Sequence, residues 1–130
     1  MFTISQIKEA HARVKSGADF PGYVKELKGL GLIGYDHYVR DGHTVYYGKS
    51  DFTLAGEAKY GPFDVSETPS KEKLEHALGI HQAGQTDYPT FCRQAAEAGV
   101  EKWKIDMKKM TCTYYDTKGH TLVKELIPEV

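Results

Sequence analysis

The stretch Asp19-Phe20-Pro21-Gly22-Tyr23-Val24-Lys25 returns 68 residues later as Asp87-Tyr88-Pro89-Thr90-Phe91-Cys92-Arg93. The same offset carries Gly31 to Gly99, Tyr46-Tyr47 to Tyr114-Tyr115, Thr53-Leu54 to Thr121-Leu122 and Glu57 to Glu125. Paired without a gap, residues 19–62 and 87–130 share eight identities in 44 positions. Further pairs keep size or charge: Leu32/Val100, Tyr35/Trp103, Val39/Met107 and Arg40/Lys108. The chain is read as one unit used twice, over about 1–62 and 69–130, within a single domain.

Each copy reads as two helices followed by strands. Ile4, Ile7, His11 and Val14 recur at spacings of three and four, which places them on one helical face, with Gly17 as the stop. Phe20, Tyr23, Val24, Leu27 and Leu30 form the next stripe. Asp19 is placed to accept from a first-turn amide, and Pro21 fits where its missing N–H is no loss. The second copy repeats this with Leu74, Ala77, Leu78 and His81, then Tyr88, Phe91, Cys92, Ala95 and Ala98. Its first helix is expected to start from Thr68 as cap and Pro69 at the first position.

After each glycine the period falls to two: Ile33, Tyr35, His37 and Val39 alternate with mostly polar neighbours. Asp41-Gly42 marks a hairpin turn, a second strand follows through His43 to Tyr47, and Phe52 to Ala55 is a third. The matching strands are Val100 to Met107, Thr111 to Asp116 and Thr121 to Ile127. Residues 59–70 read as a connection. The fold class is therefore α+β, a duplicated helix-helix-strand-strand-strand unit with an antiparallel sheet, helices on one face and pseudo-twofold symmetry. The halves join either as one continuous sheet or face to face, since a lone three-stranded half leaves an apolar edge.

Composition bounds the function. At 130 residues the chain buries roughly two thirds of its unfolded surface, enough for one core. Seventeen Lys and Arg against eighteen Asp and Glu give no general pull toward nucleic acid or anionic membrane. No run approaches the roughly 20 apolar residues of a membrane span, and the start lacks a basic segment followed by an apolar one. Two cysteines outside any CxxC pair fit a reduced, cytoplasmic compartment.

Four ordered motifs carry a resemblance: Lys15-Ser16-Gly17-Ala18-Asp19-Phe20-Pro21, Gly42-His43-Thr44-Val45-Tyr46-Tyr47-Gly48, Thr86-Asp87-Tyr88-Pro89-Thr90-Phe91-Cys92, and Glu101-Lys102-Trp103 through Met110-Thr111-Cys112-Thr113-Tyr114-Tyr115-Asp116. Over nearly the whole chain the sequence resembles the bacterial phage-envelope-protein-like domain of unknown function. The resemblance implies a bacterial, phage- or prophage-associated origin and carries over no catalytic residue.

Candidate site residues therefore rest on their own positions. His37 stands where the second copy has Ile105, an inward imidazole in place of a hydrocarbon, and a buried histidine needs a hydrogen-bond partner. His43 adjoins the Asp41-Gly42 turn. Within Tyr46-Tyr47 and Tyr114-Tyr115, successive residues face opposite ways, so one of each pair packs under the helices and its neighbour meets solvent or a partner. Recurrence of these tyrosines follows from building the same core twice, so core packing competes with a ligand or partner surface. Cys112 matches Thr44 and would act as a nucleophile only beside a base; Cys92 matches Val24 and reads as a small core residue.

His76 and His81 are five apart, which puts them on different helical faces and argues against zinc. His11 and His81 lie on apolar stripes, where satisfied core or boundary histidines are the favoured reading over two rings facing each other near the pseudo-twofold axis. Lys102, Lys104 and Lys108 share parity, opposite to Trp103, Ile105 and Met107. Asp36, Asp41 and Asp51 read as solvent-facing. GxSxG and GxxxxGK[ST] are absent.

The leading expectation is a small binding or interaction module with an aromatic-lined groove between its halves, using His37, His43, Tyr46, Tyr47, Tyr114, Tyr115 and Cys112, and with no catalytic residue, metal or cofactor assigned. Its partner is a small molecule or a protein, a homodimer being compatible. A small His/Tyr/Cys enzyme and a virion structural protein are the competing classes.

Overall fold

The computed structural model describes residues 2–15 and 17–128. Met1, Ser16, Glu129 and Val130, which include the outer ends of the two expected copies and one residue of the first motif, lie outside the described residues. The first half runs α1 (Ile4–Ala12), a 3-10 turn (Gly17–Asp19), α2 (Phe20–Leu30), β1 (Leu32–Tyr38), β2 (Thr44–Gly48) and β3 (Thr53–Ala55). The second runs α3 (Lys71–Gln82), α4 (Tyr88–Glu97), β4 (Lys102–Asp106), β5 (Thr111–Tyr115) and β6 (Thr121–Leu126).

The strands form one antiparallel sheet in the order β3-β2-β1-β4-β5-β6. The halves thus join edge to edge rather than face to face. At the seam Tyr35 opposes Ile105, Asp36 opposes Lys104 and His37 opposes Trp103. A shift of 68 residues turns the first of these pairs into the third, so the pseudo-twofold passes through Asp36–Lys104. Symmetry slips only outward: Tyr46 opposes Leu54, whereas Tyr114 opposes Val123 because of an irregularity between Tyr114 and Tyr115.

Local chemistry explains the boundaries. Thr3 caps α1 in a reciprocal box, taking the Gln6 amide at 3.2 Å while the Gln6 side chain takes the Thr3 amide at 2.9 Å. That helix ends at Ala12 with Arg13 as its C-cap, and the expected stop, Gly17, instead opens the 3-10 turn. Asp19 makes no cap bond to α2, because its own backbone is helical; its carboxylate takes the Lys15 amide at 2.8 Å. Asp87, with extended backbone, does cap α4 through the Thr90 amide at 2.8 Å. Ser70, not Thr68, caps α3. Pro69 is held before the helix against Gly99, where an added Cβ would lie 2.7 Å from the proline Cα.

One expected core residue points outward. Ile33 is 42% exposed and Leu32 is buried, because the β1–β2 register shifts between Leu32 and Gly34. Such a bulge inserts one residue and turns the next side chain to the other face. The core lies between the helices and the inner sheet face, where Ile7, Val24, Leu27, Leu74, Val100 and Ile105 are fully buried. Among the described residues, no helix is long and apolar enough to cross a membrane.

Candidate functional site

Helices and sheet do not close completely on each other: a cavity of about 360 Å³ remains, lined from both halves. The inner sheet face supplies Tyr35, His37, Thr44, Tyr46, Trp103, Cys112 and Tyr114. The helices supply His11, Tyr23, Leu78, His81, Tyr88 and Phe91. Period-two alternation presents these sheet residues together, since Tyr35 opposes Tyr46, His37 opposes Thr44 and Trp103 opposes Tyr114 across paired strands. The rings form a connected wall. Trp103 lies 4.2 Å from the His37 ring, nearly parallel to it, and 5.6 Å and 5.7 Å from Phe91 and Tyr114.

His37 is the polar centre of this wall, only 3% exposed. Its tautomer follows from its partners. The Tyr60 hydroxyl donates to the Val39 carbonyl at 2.6 Å, so toward His37 it accepts, and Nε2 at 3.3 Å carries the proton. Nδ1 then takes the Thr44 hydroxyl at 3.2 Å. The Tyr46 hydroxyl, beside Thr44 and Tyr23, is pushed up by burial. The Tyr88 hydroxyl lies 3.3 Å from Nδ1 and 3.4 Å from Nε2, so it shares both nitrogens with Thr44 and Tyr60.

Burial drives the titratable groups here toward their neutral forms. Desolvation, with Lys59 as a smaller cause, lowers His37 to about 3. His11 and His81 are lowered for the same first reason. Tyr35, Tyr88 and Tyr114 are held protonated well above the usual tyrosine range. Burial also pushes the Cys112 thiol up to about 12 and Cys92 to about 11, so both are thiols near pH 7 rather than nucleophilic thiolates. Such a site can hold an uncharged molecule by shape, stacking and a few hydrogen bonds. Among the described residues, no group of three or more His, Cys, Asp and Glu side chains is placed to hold a metal.

Of the sequence candidates, His37, Tyr46, Tyr114 and Cys112 meet in this cavity, while His43, Tyr47 and Tyr115 do not line it. Tyr47 and Tyr115 follow their inward partners onto the outer sheet face. There the Tyr47 hydroxyl donates to Asp36 at 2.8 Å, and the Lys102 ammonium sits 3.8 Å from the same oxygen and 5.7 Å from the Tyr115 and Tyr38 rings. These neighbours leave Asp36 only 4% exposed, not solvent-facing as its strand position suggested. His43, before β2, stacks on Tyr38 at 4.4 Å and pairs with Asp41 at 2.6 Å. His11 and His81 share the cavity but hold different partners: His11 meets Tyr23 and Tyr88, and His81 stacks on Phe91.

The connection contributes what periodicity missed. Lys59 and Tyr60 donate their amides to the Asp41 carbonyl, folding the segment back over the β1–β2 turn. Gly42, at φ +77°, lets the Tyr60 ring approach, since a Cβ there would lie 2.6 Å from it. That contact delivers the Tyr60 hydroxyl to His37. A lone tyrosine in a Pro- and Gly-rich stretch carries no spacing signal by which to find it.

The chain is similar to uncharacterised proteins of Mycobacterium bovis and Mycobacterium tuberculosis, at 33% identity over 79 residues in each case. The match covers 52% of this chain and 48% of each relative. The chain thus spans about half the length of the curated relatives it matches. A family model described as a protein of unknown function, DUF1398, matches residues 8–126. With nearly the whole duplicated unit inside that match, the chain belongs to the DUF1398 family.

Proposed function

We propose that this protein is a small-molecule-binding module whose site is the cavity between the helices and the inner sheet face. The observation that carries this reading is an aromatic cavity of about 360 Å³. Its volume falls in the range of ligand pockets, roughly 300–1,000 Å³, and a set of polar side chains meets around His37 on its wall. A tightly packed domain of this size leaves few voids larger than a water molecule, so an opening this large costs stability unless something fills it.

A cytoplasmic location and a phage- or prophage-derived accessory role belong to the same proposal. The free thiols of Cys92 and Cys112 support the first, and the motif resemblance supports the second. Native mass spectrometry on untagged protein from bacterial cells tests the binding reading. Extra noncovalent mass that disappears on denaturation is the expected result. Bare protein from several growth conditions would count against it.

A further inference from the structure

The scaffold is symmetric, but the cavity's polarity is not. His37 stands opposite in the repeat to Ile105, Thr44 to Cys112, Tyr23 to Phe91 and Tyr88 to Phe20. The oxygen-bearing members of these pairs lie toward His37: Thr44 and Tyr88 reach its ring nitrogens, and Tyr23 lies beside Tyr46 on the same lining. The symmetry-related side of the cavity has Phe20, Phe91 and Cys112 in their places, with His81 and Glu125 among its polar lining.

Three observations narrow the chemistry of a ligand. The stacked rings of His37 and Trp103, with Phe91 and Tyr114 beside them, favour a flat π-system. Neutral His37 has one lone pair, at Nδ1, and the Tyr88 hydroxyl must share it with Thr44; its other neighbour is the Cys92 sulfur, a weak acceptor, so the Tyr88 proton has no acceptor of its own. Charged lining is confined to Lys59, which is exposed, and Glu125, which is half-buried and held by the Gln82 amide at 3.3 Å. The charged group that acts most strongly on His37 is Lys59, which is exposed, so an anion buried beside the imidazole would have only a water-screened partner.

Resting on the small-molecule reading above, we propose that the cavity takes an uncharged planar aromatic compound bearing one hydrogen-bond acceptor, such as a carbonyl, seated with that acceptor at the Tyr88 hydroxyl. Trp103, the chain's one tryptophan, lines the cavity and reports occupancy by its fluorescence.

Three probes of similar shape separate the requirements: 2-acetylnaphthalene, naphthalene and 2-naphthoate, titrated against Trp103 emission and by calorimetry. The ketone is expected to bind at least about tenfold more tightly than the carboxylate, given the cost of burying an unpaired charge. Tyr88→Phe should weaken the ketone about fivefold, the worth of one net hydrogen bond, and leave naphthalene unchanged. The variant places at 88 the residue found at its repeat equivalent, Phe20, and circular dichroism checks that it folds. Carboxylate binding as tight as the ketone's, or a ketone affinity indifferent to Tyr88→Phe, overturns the proposed ligand class while the cavity remains a binding site. If no probe binds, the native mass decides: a co-purified molecule means that only the class is wrong, and bare protein means that the binding reading has failed as well.

Discussion

His37 concentrates the chemistry of this protein in one side chain, and its environment makes stability depend on pH. Unfolded, it titrates near 6.5; folded, it is lowered to about 3 by burial. Above pH 6.5 both states are neutral at this residue and it adds no pH dependence. Between 6.5 and 3 only the unfolded chain takes the proton, so stability falls as pH falls, by up to about 1.4 kcal/mol per pH unit. His11 and His81, lowered in the same direction, add to the slope. Urea denaturation of the wild type at pH 7.5 and pH 5 should show that loss, and His37→Gln, which keeps hydrogen-bonding capacity but cannot titrate, should show a smaller one. An equal loss in the variant would mean that His37 is not buried as described. The importance of His37 was legible in the sequence because the repeat supplies its own control, Ile105. The roles of Tyr60 and Tyr88 were not: a tyrosine on a helix stripe or in a connection gives no sign of where its hydroxyl ends.

Among the elements, the seam between β1 and β4 leaves no room for a side chain at Gly34. Gly34 faces β4 so closely that a Cβ there would lie 2.5 Å from the Ile105 carbonyl oxygen. Gly34→Ala must therefore shift one of the two central strands, at a cost of about 1–3 kcal/mol typical of overpacking. Chemical denaturation should read that cost, and a variant as stable as the wild type would show that the seam has slack. Helix stripes and strand alternation were readable because burying one face imposes a period on the residues that do it. Caps and bulges were read less well. Thr68 and Ser70 offer the same cap chemistry two residues apart, and the contacts that accompany the later one, Pro69 on Gly99 and the Ser70 amide on the Ala98 carbonyl, are nonlocal. The bulge that exposes Ile33 is likewise set by pairing to β2, a nonlocal partner that periodicity does not identify.

At the scale of the whole molecule, we propose that residues 1–62 and 69–130 are the two copies of one unit, neither of which folds alone. Each would expose its seam strand, β1 or β4, along a full row of unpaired backbone groups and open the cavity to water. Expressed separately, each half should lack the far-ultraviolet dichroism of a folded domain, and mixing should restore it together with the Trp103 signal. A half that folds unaided would refute the proposal. The sequence showed that the halves must cover each other but not how, because alternation tells which face of a strand is buried and is silent about its neighbour. The connection between them has a consequence of its own. It bonds to the first half through Lys59, Tyr60 and Phe63, whose amides reach Asp41 and Arg40, and to the second through Ser66 and Ser70, whose amides reach Ala96 and Ala98. A loose tether of similar length would give its two ends an effective concentration of only millimolar order. Anchored at both ends, this segment acts as a strap that holds the halves in register, so the seam and the cavity behind it close with less freedom to lose than a loose tether would leave.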